Sequence, residues 1–177
     1  MKITTFNVNS VRTRLPILIK WLNECEPDLL FMQETKTQDE FFPDLAFSEL
    51  GYKSFFHGEK SYNGVALLAK NNLDVKISFG FNDSDSESGA NNFDTRILTL
   101  TYKNLFILNS YVPQGKSIDH PDFNVKKNFF ARAARPGKFL ILPKRAIYVG
   151  FLPYTVRKNV FFDQNIFKPC VRFLKID

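Results

Sequence analysis

The chain has 177 residues, which is enough for one domain with a core and too few for two ordinary domains. Its apolar fraction of 44% and its 20 phenylalanines fit a globular protein and exclude a disordered one. Two cysteines, Cys25 and Cys170, make neither a metal cluster nor a disulfide framework, and two histidines exclude a histidine-rich metal site. Because there is no apolar run of about 18 residues and no signal peptide, we expect a cytoplasmic protein without a membrane partner.

The net charge of +6 is unevenly distributed along the chain. Residues 1–130 carry 14 Lys and Arg against 16 Asp and Glu, a net charge of −2. Residues 131–177 carry 10 against 2, a net charge of +8. Such a basic segment either contacts nucleic-acid phosphates or has a different origin from the rest of the chain.

The chain opens with a predicted strand–helix–strand unit. Residues 2–9 alternate as a strand, and apolar residues at helical spacing predict a helix over Val11–Cys25 with Ser10 as its N-cap. The apolar run of residues 29–32 predicts a buried strand that ends at Glu34. If the two strands are neighbours, the polar side chains at their exits come together: Asn7, Asn9 and Glu34.

The middle of the chain is predicted to be mostly strands. The predicted elements are a short helix over residues 39–50 closed by Gly51, strands over 52–57, 65–69, 75–81, 96–102 and 105–112, a surface loop over 82–92 and a helix over 121–130. The last strand ends in a third polar and aromatic exit at residues 111–115. After residue 130 neither a helical nor a strand period persists.

Four motifs follow one another in this order. They are FNVNSVR at residues 6–12, QETK at 33–36, YNGVA at 62–66 and NSYVPQG at 109–115. Together they resemble the exonuclease III family, which contains abasic-site endonucleases and 3′-exonucleases of the endonuclease/exonuclease/phosphatase superfamily. Residues 57–60 and 119–121 are similar to this family as well.

The resemblance implies an α+β fold, a four-layer α/β-sandwich of which this chain holds an incomplete part. It also implies a Mg²⁺ or Mn²⁺ cofactor, with Glu34 as a metal ligand and Asn7 beside it in the metal site and in catalysis. Tyr111 matches the family's active-site tyrosine near the scissile phosphate. Neutral donors such as Asn7 and Tyr111 can bind phosphoryl oxygens without competing for the metal. Without the resemblance, Asn7 is typical of a turn and Tyr111 of a half-buried strand.

The implied partner is double-stranded DNA, especially at abasic sites, bound by a monomer. The predicted substrate contacts are loop side chains: Asn9, Lys36, Asn63 and Gln114. Lys36, like Lys60 and Arg96, either meets a DNA phosphate or is an ordinary solvated charge. His57 is more typical of a packed strand end than of a catalyst.

The later motifs of the family are absent from this sequence. The family continues with Gly-Asp-x-Asn, a further aspartate and Ser-Asp-His, whereas no histidine follows His120 here and only Asp163 and Asp177 follow Asp122. We interpret the match of Asp163-Gln164-Asn165 to the Asp-x-Asn pair as a chance similarity. We therefore interpret residues 1–130 as the N-terminal half of the domain and residues 131–177 as a basic, unmatched tail, frame-shifted or derived from a damaged gene. Translation of the other two reading frames tests this hypothesis.

The predicted function is a metal-dependent DNA-repair nuclease, with this chain weakly active or inactive. A phosphomonoesterase or phospholipase of the same superfamily is the first alternative, and the YVPQG sequence at residues 111–115 favours the nuclease. The second alternative is a non-catalytic nucleic-acid-binding fragment that uses the basic tail. Such binding would weaken steeply with salt.

Overall fold

The computed structural model describes residues 1–81 and 93–133 and the backbone of two later strands, and it contains two β-sheets. The first sheet has the order β3-β4-β2-β1-β9, formed by β1 (Lys2–Asn7), β2 (Leu29–Gln33), β3 (Tyr52–His57), β4 (Val65–Lys70) and β9 (Val171–Lys175). The second has the order β5-β6-β7-β8, formed by β5 (Lys76–Phe79), β6 (Ile97–Tyr102), β7 (Leu105–Tyr111) and β8 (Ala146–Phe151). The predicted surface loop over residues 82–92 lies outside the described residues.

In the described residues, three α-helices accompany the sheets: α1 (Val11–Cys25), α2 (Asp44–Ser48) and α3 (Asp122–Ala133). The Ser10 side chain accepts a hydrogen bond from the Thr13 amide, so the predicted N-cap of α1 is confirmed. The single helix predicted over residues 39–50 is wrong. Pro43 separates a 3₁₀ turn over Asp39–Phe41 from α2, because proline lacks an amide hydrogen and disfavours a helical residue before it.

The apolar residues form three separate layers between these elements. Alternate residues of β2 face opposite ways, so Leu30 packs with Leu22 of α1 while Phe31 packs with Ile107 of β7 between the two sheets. Phe129 of α3 packs on the outer face of the second sheet. The order helix, sheet, sheet, helix confirms the predicted four-layer α+β sandwich. Among residues 1–81 and 93–133, the helices lack the length and apolarity of a membrane span.

Strand pairing brings three strand ends to one edge of the sandwich. β1 and β2 are parallel, with Asn7 opposite Gln33, so both exits point the same way. β7 ends at Tyr111 after an antiparallel pairing with β6. The aperiodic segment after residue 130 still supplies β8, parallel to β7, and β9, antiparallel to β1. These two strands cover edges of β7 and β1 that the sequence pattern left unpaired.

Candidate active site

The Glu34 carboxylate lies at the exit of β2, between two polar neighbours. Its Oε1 accepts a hydrogen bond from Asn7 Nδ2 at 2.6 Å, and its Oε2 lies 3.0 Å from Lys36 Nζ. The Asn7 Oδ1 accepts from the amide of Asn9 at 3.2 Å, so both ends of the Asn7 amide are oriented. The Glu34 side chain is 16% exposed, so solvent can reach it. The predicted meeting of Asn7 and Glu34 is therefore present in the structure.

Backbone hydrogen bonds from both sides hold the segment that carries Glu34. The amides of Ser10 and Val11 donate to the carbonyls of Glu34 and Thr35 at 2.8 and 3.0 Å. On the other side, the amides of Thr35 and Lys36 donate to carbonyls of the loop at residues 63–64. Glu34 has φ = 55° and Lys36 has φ = 51°, uncommon values for residues with a side chain. These contacts compensate for the backbone strain and fix the direction of the carboxylate.

Gly64 is required where this segment meets the loop. Its φ is +88°, and an added Cβ would lie 1.9 Å from Thr35 Oγ1. Gly51 has a similar φ of +83° with nothing within 4 Å, so it is a matched control. We expect Gly51→Ala to lower the free energy of unfolding by about 1–2 kcal/mol through left-handed strain alone. Gly64→Ala adds roughly 1–3 kcal/mol of overpacking to that loss. Urea unfolding measures both variants, and equal losses would contradict the close approach.

Tyr111 joins the site from the other sheet. Its hydroxyl lies beside the Glu34 carboxylate, and the two groups shift each other's pKa in opposite directions: Tyr111 helps to lower the pKa of Glu34, and Glu34 helps to raise that of Tyr111. The Arg96 guanidinium lies 4.9 Å from the centre of the Tyr111 ring, and its Nη1 donates to the Tyr111 carbonyl at 3.1 Å. The structure thus brings together Glu34, Asn7 and Tyr111, the three residues for which a metal-binding or catalytic role is predicted.

The electrostatics of the site keep its groups in defined charge states. Burial alone would raise the pKa of Glu34, but hydrogen bonds from Asn7, Lys36 and Tyr111 and the charge of Lys36 lower that pKa below its ordinary value. Burial, followed by the charge and hydrogen bond of Glu34, raises the pKa of Tyr111 to about 12. At neutral pH the carboxylate is therefore ionised, while the phenol keeps its proton and can donate a hydrogen bond.

Only some of the side chains predicted to contact substrate belong to the cluster around Glu34. Lys36 Nζ donates to Asn9 Oδ1 at 2.5 Å, so both side chains belong to the Glu34 cluster. The Asn63 side chain instead donates to Glu59 Oε1. Gln114 is exposed, and its carbonyl accepts from Lys126 Nζ at 3.4 Å. Their roles in substrate binding remain predictions.

The surroundings of Arg96 and His57 decide between the alternatives weighed for them in the sequence. Arg96 is not an ordinary solvated charge, because it is partly buried against Tyr111, and burial lowers the pKa of its guanidinium. His57 is a packed strand-end residue, as predicted. Its Nδ1 lies 3.1 Å from Asp39 Oδ2, and its ring lies 5.6 Å from that of Phe79.

Glu59 and Thr95 are neighbours of the site that sequence reasoning missed. Glu59 Oε1 accepts from Asn63 and from Thr95 Oγ1, the latter at 3.2 Å, while the Thr95 carbonyl accepts from the Gly64 amide. These contacts support the loop that holds Lys36. The Asn-Gly pair at residues 63–64 is a signal of a tight turn, and Glu59 lies in the family-like residues 57–60, but no sequence pattern pointed to Thr95 or to these contacts.

The donor set of this rim fits a magnesium-type cation. In the part of the chain that the structure describes, no cluster of three or more His, Cys, Asp or Glu is placed to hold a metal. Glu34 offers a single ionised carboxylate, fixed by Asn7. Mg²⁺ commonly binds proteins through one or two carboxylates and completes its coordination with water and phosphate oxygens.

The family model and similar known proteins indicate the same family. The model of the Endonuclease/Exonuclease/phosphatase family matches residues 4–149, so the match continues past the last sequence motif into β8. Exodeoxyribonuclease III of Haemophilus influenzae is 37% identical over 132 residues, which are 74% of this chain and 49% of that protein.

Two solved structures share the fold. An AP endonuclease from Archaeoglobus fulgidus is 38% identical with a TM-score of 0.66, and the similarity covers 75% of this chain and 49% of that one. A Neisseria structure described as a 3′ phosphatase bound to a product DNA hairpin is 32% identical with a TM-score of 0.67, over the same shares of the two chains. The chain thus spans about half the length of the relatives it matches.

Proposed function

This chain belongs to the endonuclease/exonuclease/phosphatase family, and we propose that it is part of a metal-dependent DNA-repair nuclease. The proposed reaction is hydrolysis of phosphodiester bonds in double-stranded DNA, at abasic sites and from 3′ ends. The observation that supports it best is the meeting of Glu34, Asn7 and Tyr111 at one rim of the sandwich. The names of the relatives, an exodeoxyribonuclease III and an AP endonuclease, support the DNA substrate. We further propose a cytoplasmic monomer.

The residues of the rim suit the charge changes of phosphodiester hydrolysis. Negative charge grows on the leaving oxygen, and a Mg²⁺ or Mn²⁺ held by Glu34 beside Asn7 would supply the positive charge that offsets it. Asn7 uses one amide hydrogen to orient Glu34 and has a second for a phosphoryl oxygen. The Tyr111 hydroxyl keeps its proton and would donate a hydrogen bond to that oxygen once a cation occupies the Glu34 carboxylate. Lys36 adds positive charge where a DNA phosphate would approach, with Asn9, Asn63 and Gln114 as proposed contacts.

A chimeric enzyme tests this proposal. Residues 1–133 joined to the C-terminal half of the Haemophilus influenzae relative should incise a duplex with one abasic site in the presence of Mg²⁺. Tyr111→Phe should lower kcat by about 10²–10³-fold, as for loss of one donor to a charged transition state, with little change in KM. Tyr102→Phe is the control, since Tyr102 packs in the layer between the sheets. A folded chimera without incision would contradict the nuclease assignment, and full turnover of Tyr111→Phe would remove Tyr111 from the mechanism.

Removal of a 3′-phosphate is the second candidate function. It is favoured by the Neisseria structure described as a 3′ phosphatase. In both reactions water attacks phosphorus and a 3′-oxygen leaves; the monoester has one ester bond fewer and one more ionisable oxygen, so the same rim residues would serve both reactions. The chimera assayed on a 3′-phosphorylated duplex distinguishes them: phosphate release without incision identifies a phosphomonoesterase. The side chains of the basic tail proposed for non-catalytic binding lie outside the described residues.

A further inference from the structure

A buried layer of polar side chains lies directly beneath the candidate active site. Gln33 is 1% exposed and Asn109 is 0% exposed. Gln33 Nε2 donates to Asn109 Oδ1 at 2.7 Å and to Thr5 Oγ1 at 2.8 Å, and Asn109 Nδ2 donates to the Met32 carbonyl at 3.1 Å. Both hydrogens of the Gln33 amide and both ends of the Asn109 amide are thereby used.

This polar layer joins the two sheets. Thr5 and Gln33 stand on β1 and β2 of the first sheet, whereas Asn109 stands on β7 of the second. Two residues earlier on their strands, Phe31 and Ile107 belong to the apolar layer between the sheets. Apolar contacts are non-directional and permit small sliding movements, whereas a hydrogen bond constrains both distance and angle. The polar layer therefore fixes the offset of one sheet against the other.

Each member of the polar layer is close in sequence to a member of the site. Glu34 directly follows Gln33, and Asn7 and Tyr111 each stand two residues after Thr5 and Asn109. Residues two apart on a strand share a face, so the polar layer lies beneath the site itself. Glu34 and Tyr111 belong to different sheets, and the distance between them depends on how the sheets are held together.

We propose that Thr5, Gln33 and Asn109 are positioning residues that set the separation of Glu34 and Tyr111. Their role in catalysis rests on the proposed function, and it acts only through the two site residues. Stability alone does not require polar groups here, because replacing both partners of a buried hydrogen bond by apolar groups of similar shape can be nearly neutral. Their directional hydrogen bonds are suited to fixing distances in the site instead. This matters because a displacement of about 1 Å in an active site can lower the rate by on the order of 10²-fold.

The test measures the contact between Glu34 and Tyr111 directly, without metal or DNA. The protein is labelled with 3-fluorotyrosine at its six tyrosines, and the ¹⁹F signal of Tyr111 is assigned by its loss in Tyr111→Phe. In the otherwise unaltered chain, Glu34→Gln should shift this signal, because it removes the charge beside the hydroxyl. In a Gln33→Leu/Asn109→Leu background, most of that shift should be lost. Because the readout needs no activity, it stands whether or not the nuclease assay succeeds.

A polar pair that lies entirely within the second sheet is the matched control. Ser78 and Thr99 form a hydrogen bond of 2.5 Å between β5 and β6, within one sheet. A Ser78→Ala/Thr99→Val background should keep the full shift. Thr5→Val, a smaller change that removes one Gln33 partner, should lose part of it and serves if the double leucine variant does not fold. A full shift in the folded double leucine variant, or in Thr5→Val where that variant fails to fold, would overturn the proposal.

Discussion

Glu34→Gln is expected to abolish specific Mn²⁺ binding at the rim of the sandwich. The proposed ligand is an ionised carboxylate, and an amide oxygen in its place carries no net charge. Asn7→Ser removes the hydrogen bond that orients Glu34 and leaves the carboxylate itself in place, so it should weaken Mn²⁺ binding by about 10–100-fold, as is typical when a residue that orients a metal ligand is replaced. Titration followed by electron paramagnetic resonance measures free Mn²⁺ in both cases.

The control for this experiment is an exposed glutamate of α1. Glu24 pairs with Lys20 on the surface of the helix, and its side chain is 51% exposed. Glu24→Gln removes the same charge from the protein without touching the site, so its Mn²⁺ affinity should match that of the parent. Equal Mn²⁺ binding by Glu34→Gln and the parent would place the cation elsewhere and contradict the metal role of Glu34.

Local sequence patterns predicted the helices and strands correctly where the apolar residues of an element follow one regular arrangement. The helix Val11–Cys25 has a clear helical period, residues 29–32 form a continuous apolar run, and both predicted elements are present. The single helix predicted over residues 39–50 is wrong because Pro43 divides this segment into a 3₁₀ turn and α2. β8 has no amphipathic alternation to detect, since it pairs in parallel with β7 and its partner lies about 40 residues earlier.

The candidate site was predictable only where its residues end strands. Glu34 and Asn7 follow neighbouring strands of one early unit, so their meeting could be expected from the parallel pairing. The partners that hold the site are different, because Gln33 reaches Asn109 across 76 residues of sequence. A buried glutamine resembles any other glutamine until the two sheets are packed. Arg96 likewise reads as a surface charge until Tyr111 is placed against it.

This 177-residue chain by itself is expected to cleave abasic-site DNA weakly or not at all. A metal ligand and a tyrosine leave the attacking water without a base, and general acid–base groups typically contribute about 10²–10⁴-fold. The family's later aspartate and histidine motifs have no match in this sequence. The two histidines present are occupied elsewhere: His57 pairs with Asp39, and His120 accepts from the Asp122 amide. Neither is among the hydrogen-bond partners of Glu34 or Tyr111 in the described part of the chain.

Incubation of the purified chain with an abasic-site duplex and Mg²⁺ measures this loss directly, with the chimera of residues 1–133 as the positive control. Turnover should fall below that of the chimera by at least about 10²-fold, the lower bound for a missing acid–base group. Trace activity from a contaminating nuclease is identified by its persistence in Glu34→Ala. Rapid cleavage that Glu34→Ala abolishes would contradict the prediction, because a base would then have to come from within this sequence. Beyond residue 122 the carboxylates are Asp163 and Asp177, so Asp163 and its neighbour Asn165 would be the first residues to replace.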